Sequence, residues 1–146
     1  MAEPIAVTNV LSELDTQWDA SNVAEPQIIE MNGGPTTPVR IDLNRGDYLI
    51  GQPGSPTVSE IPLGNWTYVN RIYAVSLEIT TKNGRQRLYD LMGEVRRICH
   101  SRRHSMTNFH RLQFVSFEEI IDDEELNVWV GAIEVQLVNT NILAET

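Results

Sequence analysis

The chain has 146 residues, of which 20 are acidic and 11 basic, so its formal net charge at pH 7 is −9. This length is typical of one domain, which predicts a single domain over residues 1–146. The negative charge disfavours general binding to nucleic acid or anionic membranes, and no apolar run reaches the ~20 residues of a membrane span. The single cysteine, Cys99, excludes an internal disulfide, which fits a reducing compartment or a virus assembled there.

Arginine supplies all the basic residues except Lys82. An acidic chain that nearly avoids lysine is similar in composition to proteins of salt-loving organisms, whose carboxylates keep surfaces soluble at high ionic strength. Drift in an arginine-rich genome would give the same bias. Frequent Ile and Asn beside scarce Ala disfavour strong drift, but they are also unusual for extreme halophiles. A halophilic origin and compositional drift therefore both remain open.

The N-terminal stretch 4–20 has apolar residues at helical spacing, which predicts an amphipathic helix. The apolar stripe consists of Val7, Val10, Leu11, Leu14 and Trp18. Pro4 or Thr8 is the candidate start of this helix, and Ser21 with Asn22 is the candidate end.

Alternating apolar residues then predict short strands at 27–31, 39–43 and 48–50. Turn residues predict connections at 32–35 and 44–47. Residues 51–65 contain three prolines and three glycines, which predict a long irregular loop. This loop carries few charges, so we expect it to dock on another surface.

The longest β pattern covers residues 66–81, and Asn83-Gly84 ends it. Residues 85–100 repeat apolar side chains at helical spacing and give the clearest helix of the chain. The remaining elements are predicted as a loop at 101–108, a strand at 112–117 that Ile120-Ile121 could extend, an acidic turn at 122–125, a strand at 126–138 and a tail at 139–146. This order favours an α+β fold with a central antiparallel or mixed β-sheet and two α-helices packed on one face.

A basic segment interrupts this acidic chain. Between residues 85 and 111 it has a net charge of +5, from two acids and seven arginines: Arg85, Arg87, Arg96, Arg97, Arg102, Arg103 and Arg111. Cations near a helix C-terminus complement its dipole, but that explains only some of them. The partner expected in so acidic a chain is an acidic surface of another copy or of a neighbouring protein. We therefore predict a subunit or partner interface at Arg85, Arg87, Arg96, Arg97, Arg102 and Arg103, with the acidic residues Asp122, Asp123, Glu124 and Glu125.

The sequence offers little for catalysis. It has no glycine-rich phosphate loop, no nucleophile elbow and no paired-cysteine motif, so we expect no enzyme activity, no cofactor and no metal. Cys99 lies on the apolar stripe of the second predicted helix and is expected in the core. His100 and His104 are four residues apart, but no carboxylate ligand follows at the usual offset, which disfavours a metal site.

The chain resembles a family in the order of its elements and in two stretches. The helix reads Gly84-Arg-Gln-Arg-Leu-Tyr-Asp-Leu-Met-Gly-Glu-Val-Arg-Arg-Ile, and the last strand reads Leu126-Asn-Val-Trp-Val-Gly-Ala-Ile-Glu-Val-Gln-Leu. With an N-terminal amphipathic helix and a long β segment, this pattern resembles the tail terminator, or tail completion, proteins of tailed phages and tailed archaeal viruses. The resemblance covers most of the chain.

The resemblance implies a structural virion protein at the head–tail junction. Such a protein forms a ring, expected to be a homohexamer, on the last ring of tail tube protein. It ends tube polymerisation and joins the tail to the head–tail connector protein. DNA would pass the lumen without specific binding. The implied location is the tail or neck of a virion assembled in the host cytoplasm, with no membrane.

Three alternatives stay open from the sequence. A stopper or adaptor ring of the same neck would show a similar pattern. A small metal-dependent or hydrolytic enzyme would use His100, His104 and the acidic run at 122–125. A nucleic-acid binder would depend on Arg102 and Arg103, and its binding would be sensitive to salt.

Overall fold

The computed structural model describes residues 5–31, 47–64, 68–123 and 128–142, with side chains at 121–123 and 141–142 excepted. In chain order the elements are α1 (Ala6–Gln17), β1 (Gln27–Glu30), β2 (Tyr48–Leu63), β3 (Tyr68–Thr81), α2 (Arg85–Ser101), β4 (Arg111–Asp123) and β5 (Val128–Ile142). The strands form one mixed sheet in the order β1-β2-β3-β5-β4, in which β1 is parallel to β2 and the other neighbours are antiparallel. The α+β prediction is therefore confirmed.

One apolar core lies between the sheet and both helices. The helical stripes predicted from the sequence enter it, and the buried residues of α2 include Leu88, Leu91, Val95, Ile98 and Cys99. From α1 come Ala6, Val7, Val10, Leu11 and Leu14. Both helices share this core with the same side of β3, which consists of Tyr73, Val75, Leu77 and Ile79. The two helices therefore lie on one face of the sheet.

The ends of α1 differ from the predicted ends. The helix begins at Ala6, so Thr8 lies within its first turns, where its hydroxyl donates to the Glu30 carboxylate of β1. At the other end the helix stops before Ser21, whose backbone N–H donates to the Asp19 carboxylate at 3.0 Å in a separate turn. Pro4, the other candidate start, lies outside the described residues.

The predicted loop at 51–65 is wrong over residues 51–63, which belong to β2. Beyond Gly51, no described strand pairs with β2 on the side away from β3, because β1 pairs only with Tyr48–Gly51. An edge strand tolerates proline, which cannot donate to a second neighbour. The register also shifts between Pro53 and Val58, and the β2 backbone approaches β3 so closely that a Cβ on Gly54 would lie 2.6 Å from that of Ala74.

Three further expectations are corrected or lie outside the described residues. The predicted tail begins too early, because β5 continues to Ile142, which lies opposite Tyr68 of β3. Asp122 and Asp123 belong to β4 rather than to a turn. The predicted strand at 39–43, most of the turn at 44–47, and Glu124 with Glu125 are not among the described residues.

Neither described helix has the length and apolar character needed to cross a bilayer.

Candidate interaction surfaces

Four of the seven arginines in the basic segment form ion pairs within the chain. The Nε atoms of Arg85, Arg87 and Arg97 each lie 2.7 Å from a carboxylate, and Arg102 also contacts one. These pairs are Arg85–Glu119, Arg87–Asp47, Arg97–Glu94 and Arg102–Glu13. Three of them connect α2 and its C-terminal turn to α1, β4 and the residue before β2, and the Arg97–Glu94 pair lies within α2. These arginines therefore have structural contacts, and their predicted role at an interface stays a prediction.

Glu94 is a buried carboxylate that joins the two helices. Its Oε1 and Oε2 accept hydrogen bonds from Arg97 Nε at 2.7 Å and Nη2 at 2.8 Å, and Oε2 also accepts from the Asp19 backbone N–H at 2.9 Å. Arg97 Nη2 donates further to the Gln17 carbonyl at 3.1 Å. The Arg97 guanidinium lowers the pKa of Glu94, and the Asp19 N–H adds to this effect against the opposing cost of burial.

Asp47 is a second buried carboxylate, at the start of β2. Arg87 Nε donates to its Oδ2 at 2.7 Å, and Arg87 Nη2 donates to the Ala24 carbonyl at 2.8 Å. The Thr81 hydroxyl and the Asn83 side-chain amide donate to Oδ1. Because buried charges are costly without partners, this network fixes the first turn of α2 against two strands.

The fourth pair lies between the first turn of α2 and β4. Arg85 donates from Nε at 2.7 Å and from Nη2 at 3.0 Å to the two carboxylate oxygens of Glu119. The same carboxylate accepts from Tyr89, and this hydrogen bond raises the pKa of the Tyr89 hydroxyl. The guanidinium and then the tyrosine lower the pKa of Glu119.

The other three arginines of the segment, Arg96, Arg103 and Arg111, are exposed and form no ion pair with any residue that the structure describes. Two of them line a groove of about 610 Å³ between the C-terminal end of α2 and the edge strand β4. Its lining is His100, Arg103, His104, Arg111, Leu112, Gln113, Phe114, Val115 and Gln136. We call this the basic groove, because its charged and titratable side chains are two arginines and two histidines.

The turn after α2 orients the Arg103 side chain toward solvent. Arg102 points inward to Glu13, and Phe109 is buried against Tyr73 with ring centroids 5.1 Å apart. The Leu112 backbone N–H donates to the Arg103 carbonyl at 2.8 Å, which holds the turn against the start of β4. With the turn fixed from inside, the Arg103 side chain faces solvent.

A groove of opposite charge lies at the other edge of the sheet, between α1 and β1. It encloses about 310 Å³ and is lined by Thr8, Leu11, Ser12, Asp15, Ile28 and Glu30. The Asp15 carboxyl shares a hydrogen bond with Glu25, which raises the pKa of Glu25. We call this set, with Glu25 included, the acidic groove. The sequence does not reveal this groove as a cluster, because its carboxylates are distributed over α1, β1 and the chain between them.

The sheet face opposite the helices also carries acidic residues that form no ion pair with the residues that the structure describes. The register places Ala132 between Glu78 and Glu118, and the next row places Glu134 between two serines. Successive side chains along a strand point to opposite faces of the sheet, so acidic residues that alternate with buried ones gather on the exposed face. This period of two residues is the sequence signal that indicates the acidic face.

The distal part of the β2–β3 pair exposes apolar side chains. Ile61, Leu63 and Tyr68 are 39–51% exposed and share one side of the β2–β3 pair, although each belongs to a paired strand. We call them the hairpin patch. Clustered apolar residues that stay in solvent mark contacts with other molecules more often than isolated ones do.

The remaining predicted site residues are the four consecutive acids at 122–125. Side chains at Asp122 and Asp123 are not described, and Glu124 and Glu125 lie outside the described residues. Among the described residues, no group of three His, Cys, Asp or Glu side chains has the placement to hold a metal ion. Cys99 is buried as expected, and burial raises the pKa of its thiol to about 12.

A search of solved structures found a chain of a virion of a native gene transfer agent particle with a similar fold. The two share 11% sequence identity and a TM-score of 0.61, and the match covers 96% of this chain and 100% of that one. No protein-family model matches the sequence. No curated protein matches it either. At this identity the likeness shows a shared fold.

Proposed function

We propose that this chain is a structural protein of a phage-like virion. The observation that carries the proposal is the match over nearly its whole length to a chain of a gene transfer agent virion. The match spans the full length of both folds, so it does not depend on one common supersecondary motif. The corresponding location is the virion, with assembly in the host cytoplasm.

The more specific proposal is a ring at the head–tail junction. In this role the chain forms a homohexamer that caps the tail tube, ends its polymerisation and joins the tail to the head–tail connector protein. The element order and the two stretches that resemble tail terminators support this role. A stopper or adaptor ring in the same neck is the second candidate, and it would bind the connector without limiting tube growth.

The open sheet face suits the wall of a DNA conduit. Glu78, Glu118 and Glu134 place negative charge on it, and a negative wall repels phosphate instead of binding it. DNA would then pass without specific binding. The helices, on the other face, would form the outside of the ring.

The hairpin patch suits a contact with the neighbouring ring of tube or connector protein. Its three apolar side chains lie where the β2–β3 pair extends past the apolar core, and they remain exposed in one copy. Ile61 is 51% and Leu63 39% exposed, so full burial of either side chain against a partner would release about 0.6–1.5 kcal/mol.

Tube length is the test of the capping role. Tail tube protein from the same virus is polymerised with and without the chain, and tube lengths are measured by electron microscopy. We expect short tubes with a ring at one end, and a hexamer or a concentration-dependent shift towards one in light scattering. Tubes of unchanged length would contradict the capping role and favour the stopper or adaptor role.

A paired substitution separates capping from assembly. Ile61→Glu with Leu63→Glu is expected to abolish capping while leaving ring formation unchanged, because both side chains are already exposed. Ile120→Glu is the matched control, since Ile120 is 52% exposed and lies on another strand. Equal loss of capping in the control would contradict the assignment of the hairpin patch.

A further inference from the structure

We infer that the basic groove of one copy binds the acidic groove of the next copy, so that copies join head to tail through opposite edges of their sheets. This inference rests on the proposed ring, and it names the surfaces and charges that would close it. The ligand of the basic groove is thus a set of carboxylates carried by a second copy of this chain.

The topology places the two grooves on opposite sides of the molecule. In the order β1-β2-β3-β5-β4, β4 is one edge of the described sheet, and β1 is the other edge over the residues that it pairs with, Tyr48–Gly51 of β2. The acidic groove lies between β1 and α1, and the basic groove lies between β4 and the end of α2. A contact between two different surfaces of identical copies is heterologous, and such contacts close into rings when the rotation permits.

The charges in the two grooves are complementary, and no residue that the structure describes neutralises them. Arg103 and Arg111 form no ion pair with the described residues, and no described carboxylate lines their groove. Asp15 and Glu25 lie close enough to share a hydrogen bond, neither has an ion pair with a described cation, and the two carboxylates repel each other when both are ionised. A guanidinium from a neighbour would relieve this repulsion, because its planar fork can bind a carboxylate through two parallel hydrogen bonds.

The same observations disfavour DNA as the occupant of the basic groove. The formal net charge of the whole chain is −9, and the open sheet face carries Glu118 of β4 and Glu134 of β5. A duplex lying along this edge would meet those carboxylates, whereas a second copy meets the groove with only its α1–β1 edge. Electrostatic complementarity between such edges also sets which surfaces pair.

The test compares two single charge reversals of equal size. Arg103→Glu, the groove variant, changes the basic groove, and Lys82→Glu, the control variant, changes an exposed cation that lines neither groove and lies outside the predicted interface. We expect the groove variant to raise the concentration for half-assembly by about tenfold or more at low salt, measured by light scattering. The control variant should shift it by about twofold or less.

Mixing two charge-reversed variants gives a second measurement, and a variant that fails to fold could not give the expected result. Asp15→Arg with Glu25→Arg reverses the acidic groove and should also prevent assembly. An equimolar mixture of this variant with the double variant Arg103→Glu, Arg111→Glu should assemble again, in alternation, because each reversed groove then faces its opposite charge. Circular dichroism of each variant alone checks that its fold is intact.

The outcomes separate this inference from the proposed ring. A wild-type ring that assembles equally well in the groove variant would overturn the groove pairing and leave the ring proposal standing. A wild-type chain that stays monomeric at all concentrations would overturn both. Salt-sensitive binding of a ~30-base-pair duplex that disappears only in the groove variant, with assembly unchanged, would assign the groove to nucleic acid instead.

Discussion

In each of two pairs of adjacent arginines, one member forms an ion pair within the chain and the other does not. Arg97 pairs with buried Glu94, whereas Arg96 is exposed without an ion pair among the described residues. Successive helical side chains point about 100° apart, so Arg97 reaches the end of α1 and Arg96 faces solvent. Beyond the end of α2, Arg102 contacts Glu13 of α1, and Arg103 faces the basic groove.

The buried Glu94 carboxylate predicts a pH-dependent stability. Replacement of Glu94 by Gln removes a carboxylate that accepts three hydrogen bonds, and we expect a loss of about 2 kcal/mol in the free energy of unfolding at pH 7. Because its folded pKa is lowered, this contribution is complete above the ordinary glutamate value of 4.5 and is lost as the pH falls below it. The difference between Glu94→Gln and wild type should therefore shrink from pH 5 towards pH 3.

Urea unfolding at several pH values measures this difference. Glu118→Gln is the control, since it removes an exposed carboxylate that has no ion pair with the described residues. This control should change the free energy of unfolding by less than about 0.5 kcal/mol at pH 7. A Glu94→Gln deficit that stays constant down to pH 3 would mean that the carboxylate charge contributes nothing.

The packing of α2 on the sheet depends on one glycine of β5. A Cβ on Gly131 would lie 2.5 Å from Phe117 Cε2 and 3.2 Å from Leu88 Cδ1, so these side chains fill the space above the strand. The Phe117 ring cannot retreat freely, because it packs edge-on against Tyr89 with centroids 5.4 Å apart. The glycine is therefore required by the close approach of helix and sheet.

Matched glycine substitutions should have effects of opposite sign. Gly131→Ala is expected to lower the free energy of unfolding by about 1–3 kcal/mol through overpacking. Gly93→Ala, within α2, meets no atom within 4 Å and should raise it by about 0.5–1 kcal/mol, since alanine favours the helix. Thermal unfolding of the two variants tests both signs, and a stabilised Gly131→Ala would contradict the described packing.

The elements show which parts of the fold follow from sequence patterns. Helix α2 and strand β3 were predicted closely, because a buried stripe repeats along each. The second half of β2 was not, because prolines and glycines that usually mark loops here suit an edge strand with one partner. Periodicity reports which face is buried, whereas an edge strand is defined by the absence of a neighbour.

The candidate surfaces follow from the sequence only in part. The basic segment was visible as a run of arginines, but the run does not reveal which members pair internally. Arg102 and Arg103 have the same chemistry and differ only in whether Glu13 of α1 lies within reach. The acidic groove was invisible for a related reason, because the positions of Asp15, Glu25 and Glu30 converge only after folding.

Because of the charge distribution of the whole molecule, we expect added salt to weaken assembly and to stabilise the folded chain. Pairing between a basic and an acidic groove weakens as salt screens it. Repulsion among the carboxylates of the open face weakens too, which stabilises the folded chain. Glu78 and Glu118 lie in one row with a strand between them, about 10 Å apart, where two charges in water repel by about 0.4 kcal/mol.

A triple variant isolates this repulsion from other effects of salt. Glu78→Gln with Glu118→Gln and Glu134→Gln should be more stable than wild type by about 1 kcal/mol or less at 0.01 M NaCl. The difference should close by 1 M NaCl, where the Debye length falls from about 30 Å to about 3 Å. Urea midpoints, measured by circular dichroism at concentrations where both proteins are monomeric, give this comparison. If the gap persists at 1 M NaCl, it arises from changed packing or hydrogen bonding and not from charge, and the open face would then not act as a repulsive wall.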